Sequence, residues 1–384
     1  MKQKPQLIVV TLLPPQGTTG VQTHFNQILK AANSHGYKSA IVHPYDFNRF
    51  ARKAVGLITR LLRPVSNEWV DLWVRGAHYQ FIKYTLRQVL STSNDPIILY
   101  AQDPLSAKAA LAARTDKKSQ RVAAVIHFNI SEANEYLIKG ITKENGCLYN
   151  QLMNNEKATL PRVDKLFFVS QFMQSVVQNR LPETKNSSNI VIANFIEDLT
   201  ETTTAPTLSG DIISVGTLEP RKNQAFILKV LAKCKSRGHN YRLTIIGDGQ
   251  DREVLEHLTN ELGITEQVTF LGFKPNPLNH MNTHKVYAHA ALMENMPITL
   301  MEALSLGLPI LAAPVGGIPE LFTDGKEGFY WSLDNVEVAT DKLCELLENE
   351  DLYTVMSQNA RSRFVKHFSK QALADKWLNE LASS

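Results

Sequence analysis

Two glutamates, Glu294 and Glu302, bracket seven residues in the stretch ENMPITLMEALSLGLPI at positions 294–310. Pro297 lies between them, so the two acids cannot share one long helix. The spacing predicts a loop carrying Glu294 and then a helix that begins around residues 295–298, with Asn295 as its N-cap and Pro297 in the first turn. Gly307 followed by Pro309 ends that helix. Its open N-terminal amides and dipole make an anion site. Glu302, about one turn in, can grip a pair of neighbouring hydroxyls such as those of a ribose. A phosphate site beside a diol site suits a nucleotide. Two solvated helix-end glutamates are the plain alternative.

Other stretches carry compatible chemistry. In IISVGTLEPRKNQAFILKVL a strand ends near Gly216, a helix starts near Asn223, and Arg221 and Lys222 stand at the junction. There a diphosphate would receive one forked and one point-charge contact. An Arg-Lys pair at a helix start is usually solvated, but cations there oppose the dipole, and an anionic ligand removes the conflict. LTIIGDGQDREVLEHL reads as strand, Gly-Asp-Gly turn and helix, too short for a dinucleotide fingerprint. Gly247 and Asp248 belong either to a ligand or to the turn itself. Gly316 and Gly317 admit a close ligand or form a tight strand–helix turn. His127 follows the apolar strand VAAVI, which places it at a strand's carboxyl end.

Together these segments resemble the retaining glycosyltransferases of family 4, glycosyl transferases group 1, which have the GT-B fold. The resemblance rests on the E-x7-E pair, Arg221-Lys222, the Gly-Asp-Gly turn, VTFLGF at 268–273, the GGIPE segment with its DGxxG turn, and the first loop LLPPQGTTGVQTHF. In that loop Gly20 and His24 match, while Thr19 replaces the usual first glycine; Thr217 stands where many members have Arg. The resemblance implies two Rossmann-like domains facing a cleft, 1–196 for the acceptor and 211–368 for the nucleotide sugar, with 369–384 as a helix crossing back. It implies His127, Arg221, Lys222 and Glu294 as catalytic residues. Gly20, Gly247, Asp248, Asn295, Met296, Pro297, Ile298, Thr299, Leu300 and Glu302 would bind the donor. The implied reaction moves a sugar from a UDP- or GDP-sugar to a hydroxyl of a sugar or lipid-linked acceptor, with retention, in polysaccharide or glycolipid synthesis. No Asp-x-Asp occurs in the chain. Metal-dependent GT-A enzymes hold their cation with that motif, so no metal or other cofactor is expected. A non-catalytic partner protein of the same fold, and a GT-B sugar epimerase, are the rival readings.

The 384 residues suit two domains, and 43% hydrophobic with 20% charged is ordinary for a globular protein. MKQKPQLIVVTLL lacks a small-residue cleavage site and reads as a first strand instead of a signal peptide. The three cysteines are far apart in sequence, which excludes metal spacing and a disulfide framework and points to a cytoplasmic protein. Charge is uneven: residues 1–198 hold 24 Lys+Arg against 14 Asp+Glu, and residues 199–384 hold 17 against 23. The basic half has no nucleic-acid motif.

Short apolar runs alternate with amphipathic stretches, the pattern of parallel α/β folds. Strands are expected at 6–12, 39–43, 97–100, 122–126, 165–169 and 190–193, then at 211–215, 242–246, 268–271, 286–292 and 309–312. A linker is expected at 197–210. Within NRFARKAVGLITRLLRP, residues 48–64, Arg49, Arg52, Lys53, Arg60 and Arg63 fall on one helical arc of about 100° with no acid. Phe50, Ala54, Val55, Leu57, Ile58, Leu61 and Leu62 fill another. This pattern suits the surface of an anionic membrane, and hence a peripheral protein on the inner face of the plasma membrane. The plain alternative buries the apolar arc in the core.

Overall fold

A computed structural model describes residues 4–17, 19–93, 95–198 and 208–383. Most of the expected linker, 199–207, lies outside the described residues. The chain forms two compact units, residues 1–193 with 374–384, and residues 194–373.

The first unit is a six-stranded sheet in the order β2-β1-β3-β4-β5-β6, every pair parallel. Its strands are β1 (Gln6–Val10), β2 (Ser39–Val42), β3 (Ile97–Ala101), β4 (Gln120–Ile126), β5 (Lys165–Phe168) and β6 (Ser188–Val191). The helices between them are α1 (Gly20–Ser34), α2 (Arg49–Leu62), α3 (Asn67–Thr92), α4 (Pro104–Ala113), α5 (Glu132–Ile138), α6 (Cys147–Thr159) and α7 (Gln171–Arg180). Strands β3 and β4 are buried nearly throughout, as a sheet covered on both faces requires. The chain reverses direction across the sheet between β1 and β3.

The second unit repeats the plan in the order β12-β11-β10-β7-β8-β9, again parallel. Its elements are β7 (Ile212–Val215), α8 (Gln224–Ser236), β8 (Leu243–Ile246), α9 (Arg252–Glu261), β9 (Val268–Gly272), α10 (Leu278–Met281) and β10 (Val286–His289). They continue with α11 (Ile298–Ser305), β11 (Ile310–Ala312), α12 (Ile318–Leu321), β12 (Gly328–Tyr330), α13 (Val336–Glu348) and α14 (Glu350–His367). The order reverses between β7 and β10. A crevice at the carboxyl ends of those two strands is where such sheets bind ligands.

The last helix, α15 (Lys370–Ala382), starts in the second unit, and from Ala374 on it belongs to the first. Within the first unit Trp377 stacks on Phe167 and donates its indole N–H to the Ala193 carbonyl at 2.8 Å.

Two sequence expectations change, and one pair of residues distant in sequence proves to be adjacent. Strand β10 ends at His289, short of residue 292, because the chain turns there toward Glu294. Strand β12 begins on the last glycine of what reads as a glycine turn; three residues are too few to show a period. Cys234 and Cys344, distant in sequence, are buried with their sulfurs 3.9 Å apart and unjoined, because α8 and α13 pack together.

Candidate active site

The residues of interest in the second unit converge on the β7–β10 crevice. Helix α11 begins at Ile298, and Pro297, with ψ at 122°, is the N-cap. Asn295 therefore does not cap it. A proline keeps the residue before it out of the helical region, so the helix cannot start ahead of Pro297. No side chain caps α11, and its opening amides belong to Ile298 and Thr299. The Leu300 amide is spent on the Pro297 carbonyl at 3.2 Å, and its side chain is fully buried, so Leu300 serves packing instead of a ligand. Asn295 and Met296 are also buried, whereas Pro297 and Thr299 keep some exposure.

Glu302 lies in the second turn of α11, only partly accessible. Burial pushes its carboxyl up to about 7, and among the described residues no neighbouring cation offsets that burial. Tyr287, on β10, is within electrostatic reach of both Glu302 and Glu294. Its hydroxyl donates to the Val215 carbonyl at 3.1 Å and meets the Thr299 side chain, which ties β7 to the first turn of α11.

Glu294 has the opposite surroundings. It is buried, with Lys222 Nζ bonded to its Oε1, His289 Nε2 at 3.2 Å and Arg221 Nη1 at 3.5 Å. Burial alone would raise its pKa, but Lys222, His289 and Arg221 outweigh it and hold the carboxyl well below the usual carboxylate range. Burial lowers the pKa of His289, opposed by Glu294 and helped by Lys222 and Arg221. Arg221 also donates to Met293 O at 3.0 Å and to Glu219 at 2.7 Å. Arg221, Lys222 and Glu294, the second-unit residues that the resemblance marks as catalytic, are thus brought into one cluster, in which Glu294 faces the cations. The short 3-10 turn Pro220–Lys222 presents them, and the left-handed Asn223 then starts α8.

The glycines of the site are structural first. Gly316 has φ +59°, and a Cβ there would lie 1.8 Å from the Glu294 carbonyl oxygen. The next amide, Gly317 N–H, donates to that same oxygen at 3.1 Å. The GGIPE turn therefore clamps the backbone that carries Glu294. Gly316→Ala is expected to lose about 3 kcal/mol or more in urea unfolding, because backbone on both sides must move. Gly247 packs in the same way on Gly216, where a Cβ would meet the carbonyl oxygen at 1.9 Å. Asp248 is exposed, and its Oδ1 accepts the Gly249 amide at 2.8 Å, so the turn satisfies itself.

Sequence reasoning passed over Tyr287, His289 and Glu219. The available signal was VYAHA: two polar rings inside an otherwise apolar, doubly covered strand.

In the first unit, Gly20 opens α1 in an exposed position behind a Thr19–Gln22 capping box. His127 follows β4, with Nε2 at 3.2 Å from Gln102 Oε1, and burial pushes its imidazole down to about 3. It meets the buried His24 edge-on at 4.9 Å; His24 Nε2 in turn lies 2.8 Å from the Tyr100 hydroxyl, and Trp377 also meets the His24 ring edge-on at 4.9 Å. Arg49, Arg52, Lys53, Arg60 and Arg63 all lie exposed on or beside α2. Among the described residues no group of three or more His, Cys, Asp or Glu is placed to hold a metal ion. Among them, too, no helix is long and apolar enough to cross a membrane.

Two parallel Rossmann-like sheets with a crevice at the β7–β10 switch point define a GT-B fold. The likeness to known structures agrees: the chain superposes on Anabaena HepE, solved with UDP-glucose, over 100% of both chains with a TM-score of 0.71 at 16% identity. Glycosyltransferase Family 4 matches residues 18–198, and Glycosyl transferases group 1 matches residues 196–363. The chain belongs to this glycosyltransferase family. A Haemophilus influenzae protein described as an uncharacterized glycosyltransferase is 27% identical over 52% of this chain and 56% of its own length. The N-acetylgalactosamine-N,N'-diacetylbacillosaminyl-diphospho-undecaprenol 4-alpha-N-acetylgalactosaminyltransferase of Campylobacter jejuni is 30% identical over 42% of this chain and 44% of its own. The chain thus spans about half the length of the curated relatives it matches.

Proposed function

We propose that the chain is a retaining, metal-independent hexosyltransferase that moves a sugar from a UDP- or GDP-sugar to an acceptor hydroxyl. The observation that carries this reading is Glu302, a desolvated carboxyl with no cation to offset it, one turn inside the uncapped helix α11. Two ribose hydroxyls would supply the hydrogen bonds that its burial lacks. The diphosphate would lie at the Ile298 and Thr299 amides and beside Arg221 and Lys222. As the bond between the anomeric carbon and the diphosphate oxygen breaks, its electron pair goes to the phosphate. The two cations and the helix dipole stabilise that growing charge. The acceptor oxygen attacks the same face of the sugar, and its proton passes to a leaving-phosphate oxygen.

A lipid-linked acceptor is the favoured one, and the proposed place of work is the cytoplasmic face of an anionic membrane. The exposed basic arc of α2 supports this, as does the diphospho-undecaprenol in the name of the Campylobacter relative.

The test is a thermal-shift screen with UDP, GDP, ADP and their sugars, followed by turnover of the sugar that binds. Stabilisation by one nucleotide class, full activity in EDTA and an α-linked product from an α-donor are expected. Activity lost to chelation and restored by Mg²⁺ overturns metal independence. Binding without sugar release favours a non-catalytic protein of the same fold.

A further inference from the structure

Helix α2 has three faces where the sequence shows two. It packs on α3, and Trp73 of α3 donates its indole N–H to the Val55 carbonyl at 3.3 Å. The half-buried Val55, Ile58, Thr59 and Leu62 fall on one side of the helix at about 100° per residue. The five cations fill a second arc, centred about 120° from the first. Between the two runs an apolar edge at i, i+4, i+7 and i+11: Phe50, Ala54, Leu57 and Leu61. This edge is unpacked, with Phe50 80%, Leu57 61% and Leu61 69% exposed. Along the chain the next large apolar residues are bare as well: Val65 in the following turn, 75% exposed, and Trp69 at the start of α3, 58% exposed. No residue of α2 is buried.

An exposed apolar residue standing alone needs no explanation, but a continuous ridge of this kind marks a partner. The adjoining arc fixes the partner's chemistry. Five cations without one acid select an anionic surface, and the apolar edge beside them selects one with hydrocarbon beneath its charged layer. A bilayer offers both in one plane. Long Lys and Arg side chains can reach up to headgroups while their neighbours go deeper, and an indole at the edge of the ridge suits the boundary between the two.

We infer that α2 and the start of α3 form a membrane-insertion wedge. Phe50, Leu57, Leu61, Val65 and Trp69 enter the acyl boundary of an anionic bilayer, and the basic arc rests on its headgroups. The inference deepens the membrane part of the proposed function and is independent of the sugar and the acceptor. It gives attachment two components. The ionic one is screened beyond about 10 Å at 0.1 M salt, and the apolar one persists at high salt.

The chain reports on its own insertion. Trp331 and Trp377 are buried, so vesicle-induced changes in tryptophan emission come from Trp69 and Trp73. The probes are phosphatidylglycerol–phosphatidylcholine vesicles, with and without brominated acyl chains. The wild type is expected to shift to the blue, to be quenched by the brominated lipid, and to keep part of its flotation at about 0.5 M NaCl, where the screening length is about 4 Å. The variant Phe50→Ser/Leu57→Ser/Leu61→Ser should float at low salt, lose the bromine quenching, and bind at least about tenfold more weakly at high salt. The variant Arg52→Gln/Lys53→Gln/Arg60→Gln should bind at least about tenfold more weakly at low salt, lose most of its salt dependence, and keep the bromine quenching of the bound fraction. Thermal unfolding checks that both variants fold. Equal bromine quenching of wild type and serine variant overturns the wedge. So does a wild-type dimer that the serine variant converts to monomer with vesicle binding unchanged, since the ridge then joins two copies. A wild type that ignores vesicles at low salt removes the membrane reading altogether, and turnover of a soluble nucleotide sugar still tests the transferase chemistry.

Discussion

Glu302→Gln is expected to make the ligand-free protein more stable at pH 8 while nearly abolishing donor binding. Burial raises the Glu302 carboxyl from 4.5 to about 7. Each pKa unit corresponds to 1.36 kcal/mol, so keeping this group ionised in the folded state at pH 8 costs on the order of 2 kcal/mol after allowance for its partial exposure. The sign follows from the direction of the shift. Below 4.5 the group is protonated in both the folded and the unfolded chain, and nothing is lost. Between 4.5 and about 7 the unfolded chain ionises first, so stability falls as pH rises, and above 7 the loss is complete. Wild type and Glu302→Gln should therefore differ most at pH 8 and converge below 4.5 in urea unfolding. Donor affinity should run the other way. Two ribose hydroxyls donating to a carboxylate are worth about 2–4 kcal/mol more than the same contacts to a neutral amide, roughly 30-fold or more in Kd. Wild-type donor affinity should accordingly rise with pH through 7 in calorimetric titrations, and that of the variant should stay flat. An unchanged Kd rules out Glu302 as the ribose ligand, and equal stability of the two proteins at pH 8 rules out the burial-raised carboxyl.

The frame that holds this site was legible in the sequence because parallel strands covered on both faces read as unbroken apolar runs. The runs at β3, β4, β7 and β8 needed no tertiary information. The E-x7-E helix was legible through Pro297 and Gly307, whose backbone limits act locally, although the proline moved the cap from Asn295 to itself. What stayed hidden depends on contacts between distant segments. Glu294 reads as a loop acid, yet Lys222, Arg221 and His289 surround it from 72, 73 and 5 residues away. Gly316 reads as a possible ligand contact, yet it is fixed by the Glu294 carbonyl. The apolar arc of α2 reads as one face. Only its packing on α3 separates the half-buried Val55, Ile58 and Leu62 from the bare Phe50, Leu57 and Leu61. Periodicity reports which residues share an arc and is silent on what covers it.

The cluster around Glu294 raises a question that one set of variants decides. Lys222 either serves only as the partner of a buried acid or also faces the departing diphosphate. Lys222→Ala should lose about 3 kcal/mol of stability at neutral pH, because it leaves a buried carboxylate undercompensated. Glu294 is held well below its unfolded value of 4.5, so its contribution is present above 4.5 and fades as pH falls through its folded pKa. Without Lys222 that folded pKa rises, and the acid loss of stability should move to higher pH. Lys222→Ala/Glu294→Gln removes the uncompensated charge and should recover most of the lost stability. Turnover should behave differently. If Lys222 stabilises charge that grows on the diphosphate, its absence costs about 10²- to 10³-fold in kcat whatever stands at position 294. The double variant would then be stable and nearly inactive, with KM for the donor changed much less than kcat. Glu294→Gln alone provides the control, since it keeps the cation and removes only its tether. A double variant that regains turnover along with stability makes Lys222 a purely structural partner of Glu294 and leaves the diphosphate to Arg221 and the α11 amides.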